Sequence, residues 1–164
     1  MLNYKIFYFI DEFNRNHILK IKKNINLIFR NYNKTYNISF YKKLRDFCHS
    51  SGRKIYLSNN VKLANTLGYD GVYIPAFNKD FIKNRNYRKN FKILGSAHNL
   101  KEIREKERQG VHLIFISPLF YKKNKKNLGL YKFLNLLKYT FTPIVALGGI
   151  NESNINKLNL INLD

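Results

Sequence analysis

A chain of 164 residues has the length of one domain with a sizeable core, and none of its apolar runs reaches the roughly 18 residues that a membrane span needs. The single cysteine, Cys48, makes no internal disulfide and fits a reducing cytoplasm. A formal net charge of +20 invites a nucleic-acid reading, but lysine outnumbers arginine, the charge is spread over every segment, and Asn, Ile, Tyr and Phe abound as A/T-rich codons favour. Codon bias with a polyanionic small substrate accounts for this balance better than a DNA or RNA partner does.

Residues 5–10 alternate and are rich in aromatics, which predicts a first strand ending at Asp11-Glu12. The N-terminus has no small-residue cleavage site and reads as that strand, not as a signal peptide. A short basic helix is expected over 14–23 and a second strand over 26–29, with Arg30 at its C-terminal end. Arg30 either faces an anionic ligand or is a surface arginine. Ser39 is the expected N-cap of a helix over 40–50, where Phe40, Leu44 and Phe47 have helical spacing and Gly52 marks the end. Cys48 reads as a buried helical residue.

A third strand over 54–57 runs into Ser58-Asn59-Asn60, then a helix over 61–67 closes at Gly68. A fourth strand over 71–74 stops at Pro75, and residues 78–91 read as a loop. Strands at 92–95, 113–116 and 144–147 each end in small or polar residues: Ser96-Ala97-His98, Ser117-Pro118-Leu119-Phe120 and Gly148-Gly149-Ile150. Helices are expected between them at 100–109, with Glu102 and Lys106 paired at i,i+4, and at 130–139. Asn151-Glu152-Ser153 opens a last helix.

Seven strands alternating with helices predict an α/β fold with a parallel sheet, its chemistry at the C-terminal strand ends. A complete eightfold (β/α) barrel needs at least about 200 residues. Residues 1–164 hold no linker that would split them and are therefore expected to form one domain, a compressed barrel, a fragment or an open variant. Residues 158–164 alternate as an incoming eighth strand would, so the barrel is either naturally short or its reading frame continues past Asp164.

The predicted strand ends suit phosphate. Gly148 and Gly149 lie between a buried strand and a helix start, where backbone N–H groups free of side chains bind anions well. The loop after Phe120 holds Lys122, Lys123, Lys125 and Lys126, mobile charges for a pyrophosphate leaving group or, otherwise, a solvated loop. Ser96 and His98, one residue apart, project toward one mouth; His98 is either a proton shuttle or a residue that orders the loop. His17, His49 and His112 have no evident partners, and neither a zinc-spaced Cys/His cluster nor a nucleophile elbow is present.

Five segments together resemble the thiamine phosphate synthase and thiazole tautomerase (TenI-like) family of small barrels. They are Asp70-Gly71-Val72-Tyr73-Ile74, Ser96-Ala97-His98, Ser117-Pro118-Leu119-Phe120, Lys125 with Leu128-Gly129, and Ala146-Leu147-Gly148-Gly149-Ile150. The resemblance spans nearly the whole chain and implies a single TIM-type (β/α) barrel domain over 1–164, with the eighth βα unit missing or truncated. It implies joining hydroxymethylpyrimidine diphosphate to thiazole phosphate with release of pyrophosphate, and Mg2+ as cofactor. It also implies that the family's diphosphate-binding arginine falls on Arg30, its serine on Ser96, its loop lysine on Lys125 and its thiazole-phosphate glycine in Gly148-Gly149.

The chain departs from the family pattern in several places. The glutamine and lysine flanking the second-strand arginine are Ile28 and Tyr32; the Asn-Asp pair after strand three is Ser58-Asn59; the later magnesium aspartate is Asn78. Amides bind a hard cation far less strongly than carboxylates do, so Mg2+ is doubtful here. Ser58, Asn59 and Asn78 are then expected as substrate-binding residues. Two other functions stay open: a tautomerase-like or non-catalytic binder of thiazole phosphate with His98 as proton carrier, and a basic nucleic-acid-associated protein. Neither a membrane nor a specific nucleic acid is expected as partner, and a homo-oligomer is left open.

Overall fold

The computed structural model describes residues 5–80, 86–120, 127–151 and 153–160. They fall into two compact units, the first made of Met1–Ile74 with Asn84–Lys92 and the second of Pro75–Lys83 with Ile93–Asp164. Both have an α/β architecture.

The first unit carries β1 (Phe7–Ile10), α1 (Arg15–Lys20), β2 (Asn26–Phe29), α2 (Ile38–Ser50), β3 (Ile55–Ser58), α3 (Val61–Leu67) and β4 (Gly71–Ile74). Its strands are parallel and paired in chain order, with Tyr8 opposite Leu27, Ile28 opposite Tyr56 and Leu57 opposite Val72. Leu27, Ile28, Phe29, Ile55, Tyr56, Leu57, Val72, Tyr73 and Ile74 are all buried, so these strands are covered on both faces, as parallel sheets are. Ile18, Leu44, Cys48, Ala64 and Leu67 supply the helical side of that core. Burial pushes the Cys48 thiol up to about 12, against the opposing pull of Arg53. It is an inert core residue. Gly71 has a steric reason: a Cβ there would collide with the carbonyl oxygen of Lys92.

The second unit carries β5 (Lys92–Ala97), α4 (Leu100–Arg108), β6 (Leu113–Ile116), α5 (Gly129–Lys138), β7 (Ile144–Ala146) and a 3-10 helix (Ile155–Leu160). Here too the strands pair parallel in chain order, Ser96 opposite Phe115 and Phe115 opposite Val145. Ile93, Leu94, Ala97, Ile103, Phe115 and Phe133 lie in its core. Gly95 lets α4 approach: a Cβ would stand 3.0 Å from Lys106 Cδ and 3.1 Å from Val111 Cγ1. Because strand side chains alternate, Ser96 is directed to the face opposite α4.

The expected strands and helices are found with shifts of up to three residues at their ends, but several local details differ. The N-cap of α2 is Asn37, not Ser39: its side chain accepts from Phe40 N, its backbone is extended, and Ser39 lies inside the first turn. Glu102 and Lys106 do not pair: Glu102 bonds His98 and Asn99, and the buried Lys106 ammonium turns to Asn78 O and Gln109 Oε1. The last helix is 3-10, not α. Asn151 and Asn154 bond to nearby backbone and compete with α-helical bonding. Leu158 and Leu160 belong to that helix, so an eighth strand does not begin there; residues 161–164 lie outside the described residues. The remaining histidines do have partners. His49 Nε2 lies 2.9 Å from Asp70 Oδ2, His112 Nδ1 accepts from Ile93 N at 3.0 Å, and His17 Nε2 meets the Tyr8 hydroxyl at 3.4 Å. Among the described residues no helix is long and apolar enough to cross a membrane.

Candidate functional site

In the first unit, Arg30, Ser58 and Asn59 follow one another at the C-terminal ends of the adjacent strands β2 and β3. Arg30 is exposed; its N–H donates to Ile10 O at 2.8 Å, and its guanidinium lies 4.4 Å from the centroid of the Phe9 ring. That cation–π contact orients the head without neutralising its charge, as a carboxylate would. Ser58 Oγ shares a hydrogen bond of 2.7 Å with the Tyr32 hydroxyl. Burial raises the Tyr32 phenol above its ordinary range, although the Ser58 bond and the Arg30 charge work the other way. Tyr32 therefore keeps its proton, and either hydroxyl can be the donor in that bond. Asn59 turns the chain with φ of 58°, a left-handed conformation that Asn tolerates, and its N–H donates to Tyr73 O at 2.8 Å.

In the second unit, Ser96 is 4% exposed within β5, while His98 stands exposed two residues on. Asn99 caps α4 by accepting from Glu102 N at 3.0 Å. Glu102 returns toward His98, its Oε2 accepting from His98 N at 2.7 Å and lying 2.8 Å from His98 Nδ1.

Gly148 and Gly149 have φ of 93° and 71°, both in the left-handed region. The turn is fastened to the loop that follows β6: Leu119 N donates to Leu147 O at 2.9 Å and Phe120 N to Gly148 O at 3.1 Å. A Cβ on Gly148 would stand 2.8 Å from Pro118 Cα. Asn154 Nδ2 donates to Gly149 O at 2.7 Å. Among the described residues no acceptor takes the N–H of Gly148 or Gly149. Lys125, expected in the loop between β6 and α5, lies outside the described residues.

Asn78 sits in the loop after β4. Its carbonyl accepts from Lys106 Nζ at 2.6 Å and from Gln109 Nε2 at 3.1 Å, and its Oδ1 accepts from Asp80 N at 2.8 Å. The positions that the family resemblance assigns to magnesium ligands therefore do not fit that ion. Both are amides, the Asn78 side-chain oxygen is engaged by backbone, and an ammonium is bound to the same residue. Among the described residues no three His, Cys, Asp or Glu side chains are grouped as a metal site.

Three residues near these groups have a part that the sequence reading did not give them. Lys106 is fully buried, and its ammonium bonds Asn78 O and Gln109 Oε1. Its spacing of three from buried Ile103 was the available signal, obscured by its residue type. Glu102 is legible only as an N-cap partner, three residues after Asn99. Tyr32 reaches Ser58 across 26 positions of sequence, which no local pattern reveals.

Residues 21–164 match the family model for thiamine monophosphate synthase, TMP-TENI. A thiamine-phosphate synthase of Prochlorococcus marinus is 32% identical over 121 residues, covering 71% of this chain and 35% of that protein. One from Clostridium acetobutylicum is 27% identical over 145 residues, covering 84% and 69%. One from Staphylococcus epidermidis is 32% identical over 123 residues, covering 71% and 57%. The chain thus spans about a third to two thirds of the length of these relatives. Among solved structures, thiamine phosphate pyrophosphorylase from Pyrococcus furiosus has a TM-score of 0.63 at 18% identity, covering 96% of this chain and 82% of that one. Citrate synthase SbnG has a TM-score of 0.70 at 8% identity, covering 97% and 83%. At such identities the likeness is one of fold, which hosts different chemistries.

Proposed function

Since the chain belongs to the thiamine monophosphate synthase family, we propose that it joins hydroxymethylpyrimidine diphosphate to thiazole phosphate with release of pyrophosphate. The family match over residues 21–164 carries this reading. The strand ends support it: Arg30, Ser58 and Asn59 in one unit, and Ser96, His98, Gly148 and Gly149 in the other, offer cationic, hydroxyl, amide and backbone N–H donors to phosphorylated ligands. We read residues 1–164 as one TIM-type barrel domain acting in the cytoplasm.

In this reading Arg30 and Lys125 balance the diphosphate as the C–O bond to the pyrimidine breaks. The thiazole nitrogen then captures the pyrimidine carbocation. Gly148 and Gly149 hold the thiazole phosphate through backbone N–H groups. Ser58, Asn59 and Asn78 bind the pyrimidine diphosphate. The chain's work is positioning and charge stabilisation, without a covalent enzyme intermediate. Lysine charge takes over part of the neutralisation that a metal would provide.

The amides at Asn59 and Asn78 favour a second reading, a tautomerase-like or non-catalytic binder of thiazole phosphate. The deciding experiment is product formation from the two family substrates, with and without magnesium. Thiamine phosphate and pyrophosphate in equal amounts are expected, with little dependence on magnesium. Binding of thiazole phosphate without product under either condition would favour the second reading.

A further inference from the structure

Glu102 does more than close a helix cap. In an ordinary capping box the residue at the third helical position bonds the backbone N–H of the N-cap itself. Here Glu102 passes the N-cap Asn99 and goes one residue further, to both the backbone N–H and the ring of His98. Its other oxygen, Oε1, accepts from Asn99 Nδ2 at 3.0 Å, and Asn99 Oδ1 accepts from Glu102 N at 3.0 Å. The carboxylate and one edge of the imidazole are thereby held in a single geometry.

An ionised carboxylate only accepts hydrogen bonds, so the proton between the two belongs on His98 Nδ1. Partial burial works against ionisation of Glu102, but the bonds from the His98 ring, the His98 backbone and Asn99 outweigh it and hold the carboxyl below its usual range. With Nδ1 occupied, Nε2 is the outward atom of a side chain that is 51% exposed. Among the described residues Nε2 has no partner, and Glu102 is the one charged group in contact with the ring.

We propose that Glu102 is a positioning residue that holds His98 with a proton on Nδ1, so that Nε2–H of the imidazolium donates to a phosphate oxygen of an anionic ligand at the end of β5. The inference rests on the family reading only in taking phosphorylated molecules as the ligands. It gives His98 a defined role among the alternatives its sequence leaves open, and it explains why an acid sits four residues after it.

The test is nitrogen NMR of the full chain labelled at histidine, with inorganic pyrophosphate as the probe. The His98 signal is identified by its loss in His98→Asn. In the wild type, neutral His98 should carry its proton on Nδ1, and pyrophosphate should shift the Nε2 resonance. Glu102→Gln should mix the two tautomers of neutral His98, because the amide can donate to Nδ1 as well as accept from it. Pyrophosphate affinity should weaken about tenfold in His98→Asn, the size expected for loss of one hydrogen bond to a charged group. If Glu102→Gln does not fold, Glu102→Asp keeps an acid at the helix start, and its shorter reach should shift the same signals. A His98 tautomer unchanged in the folded variant, or an Nε2 resonance indifferent to pyrophosphate, would overturn the proposal and leave Glu102 as a cap alone. Product formation is assayed separately: its absence beside an intact His98 response would sink the transferase activity while supporting the Glu102–His98 pair.

Discussion

Burial pulls Lys106 from its ordinary 10.5 down to about 8, the Glu105 and Glu102 carboxylates acting in the opposite sense. Between those two pH values the unfolded chain holds the proton that the folded chain has lost. Stability attributable to Lys106 therefore rises with pH from about 8 to about 10.5 and is least favourable below 8. Cys48, pushed up to about 12, runs the other way, because the folded state keeps the proton that the unfolded state releases. A difference measurement separates the two. The melting temperature of wild type minus that of Lys106→Met is expected to become more positive from pH 7 to pH 10; a flat difference would mean that the ammonium is not desolvated. Gly148 offers a second test at this scale. Alanine there meets both a φ of 93° and the Pro118 backbone, so Gly148→Ala should cost about 1–3 kcal/mol in denaturant unfolding. Thiazole phosphate binding should weaken with it, because the turn that presents the N–H groups must shift. Unchanged stability and binding would show that Pro118 yields freely.

Asparagine governs where the helices begin. Among the described residues, Asn14, Asn37, Asn60 and Asn99 cap α1, α2, α3 and α4, each through its side-chain oxygen. The abundance of Asn in this chain, a mark of A/T-rich codons in composition, thus also does structural work. It predicts that Asn37→Ala destabilises by about 1 kcal/mol while Ser39→Ala changes little. Equal losses, or a larger loss at Ser39, would contradict the capping geometry. Arg53 plays the complementary part at a helix end: its guanidinium donates to the carbonyls of Leu19, Ile21 and Lys22 around the end of α1. A buried arginine is tolerable there because acceptors with no helical donor surround it. The apolar side of α5 is packed less completely. Tyr131 and Leu134 are exposed while Phe133 is buried, and Phe141 beyond the helix is met by the Arg104 guanidinium at 4.9 Å.

At the scale of the molecule, the net charge of +20 sets association with polyanions. Its dispersal through the sequence argues for a weak, general attraction. Binding to DNA or RNA should be independent of sequence and vanish near physiological salt, since such binding falls steeply as counterions compete. Submicromolar binding to one nucleic-acid sequence at that salt would return nucleic acid to first place as the partner. Magnesium is the second test here. Titration of pyrophosphate by calorimetry should show little gain on adding magnesium, because amides stand at Asn59 and Asn78 and the Asn78 carbonyl already accepts from an ammonium. Tight magnesium binding by the free protein would mean that other carboxylates, such as Asp11 or Asp80, have taken over.

The sequence by itself determined the α/β rhythm and the family. The strands at Asn26–Phe29, Gly71–Ile74 and Leu113–Ile116 and the helix Val61–Leu67 stand where their patterns place them, because continuous apolar runs and Gly or Pro stops act within a few residues. Arg30, Ser58, His98, Gly148 and Gly149 were legible as strand-end residues for the same reason. Tertiary structure alone decided which groups meet across the chain. The Asp70 carboxylate accepts from Ile55 N at 2.9 Å and pairs with His49, 21 positions away. Tyr32 finds Ser58, and Lys106 turns inward to Asn78. A surface pairing of Glu102 with Lys106 follows from helical spacing alone. It gives way because a buried ammonium requires acceptors at once, and the loop after β4 supplies one 28 residues away in sequence.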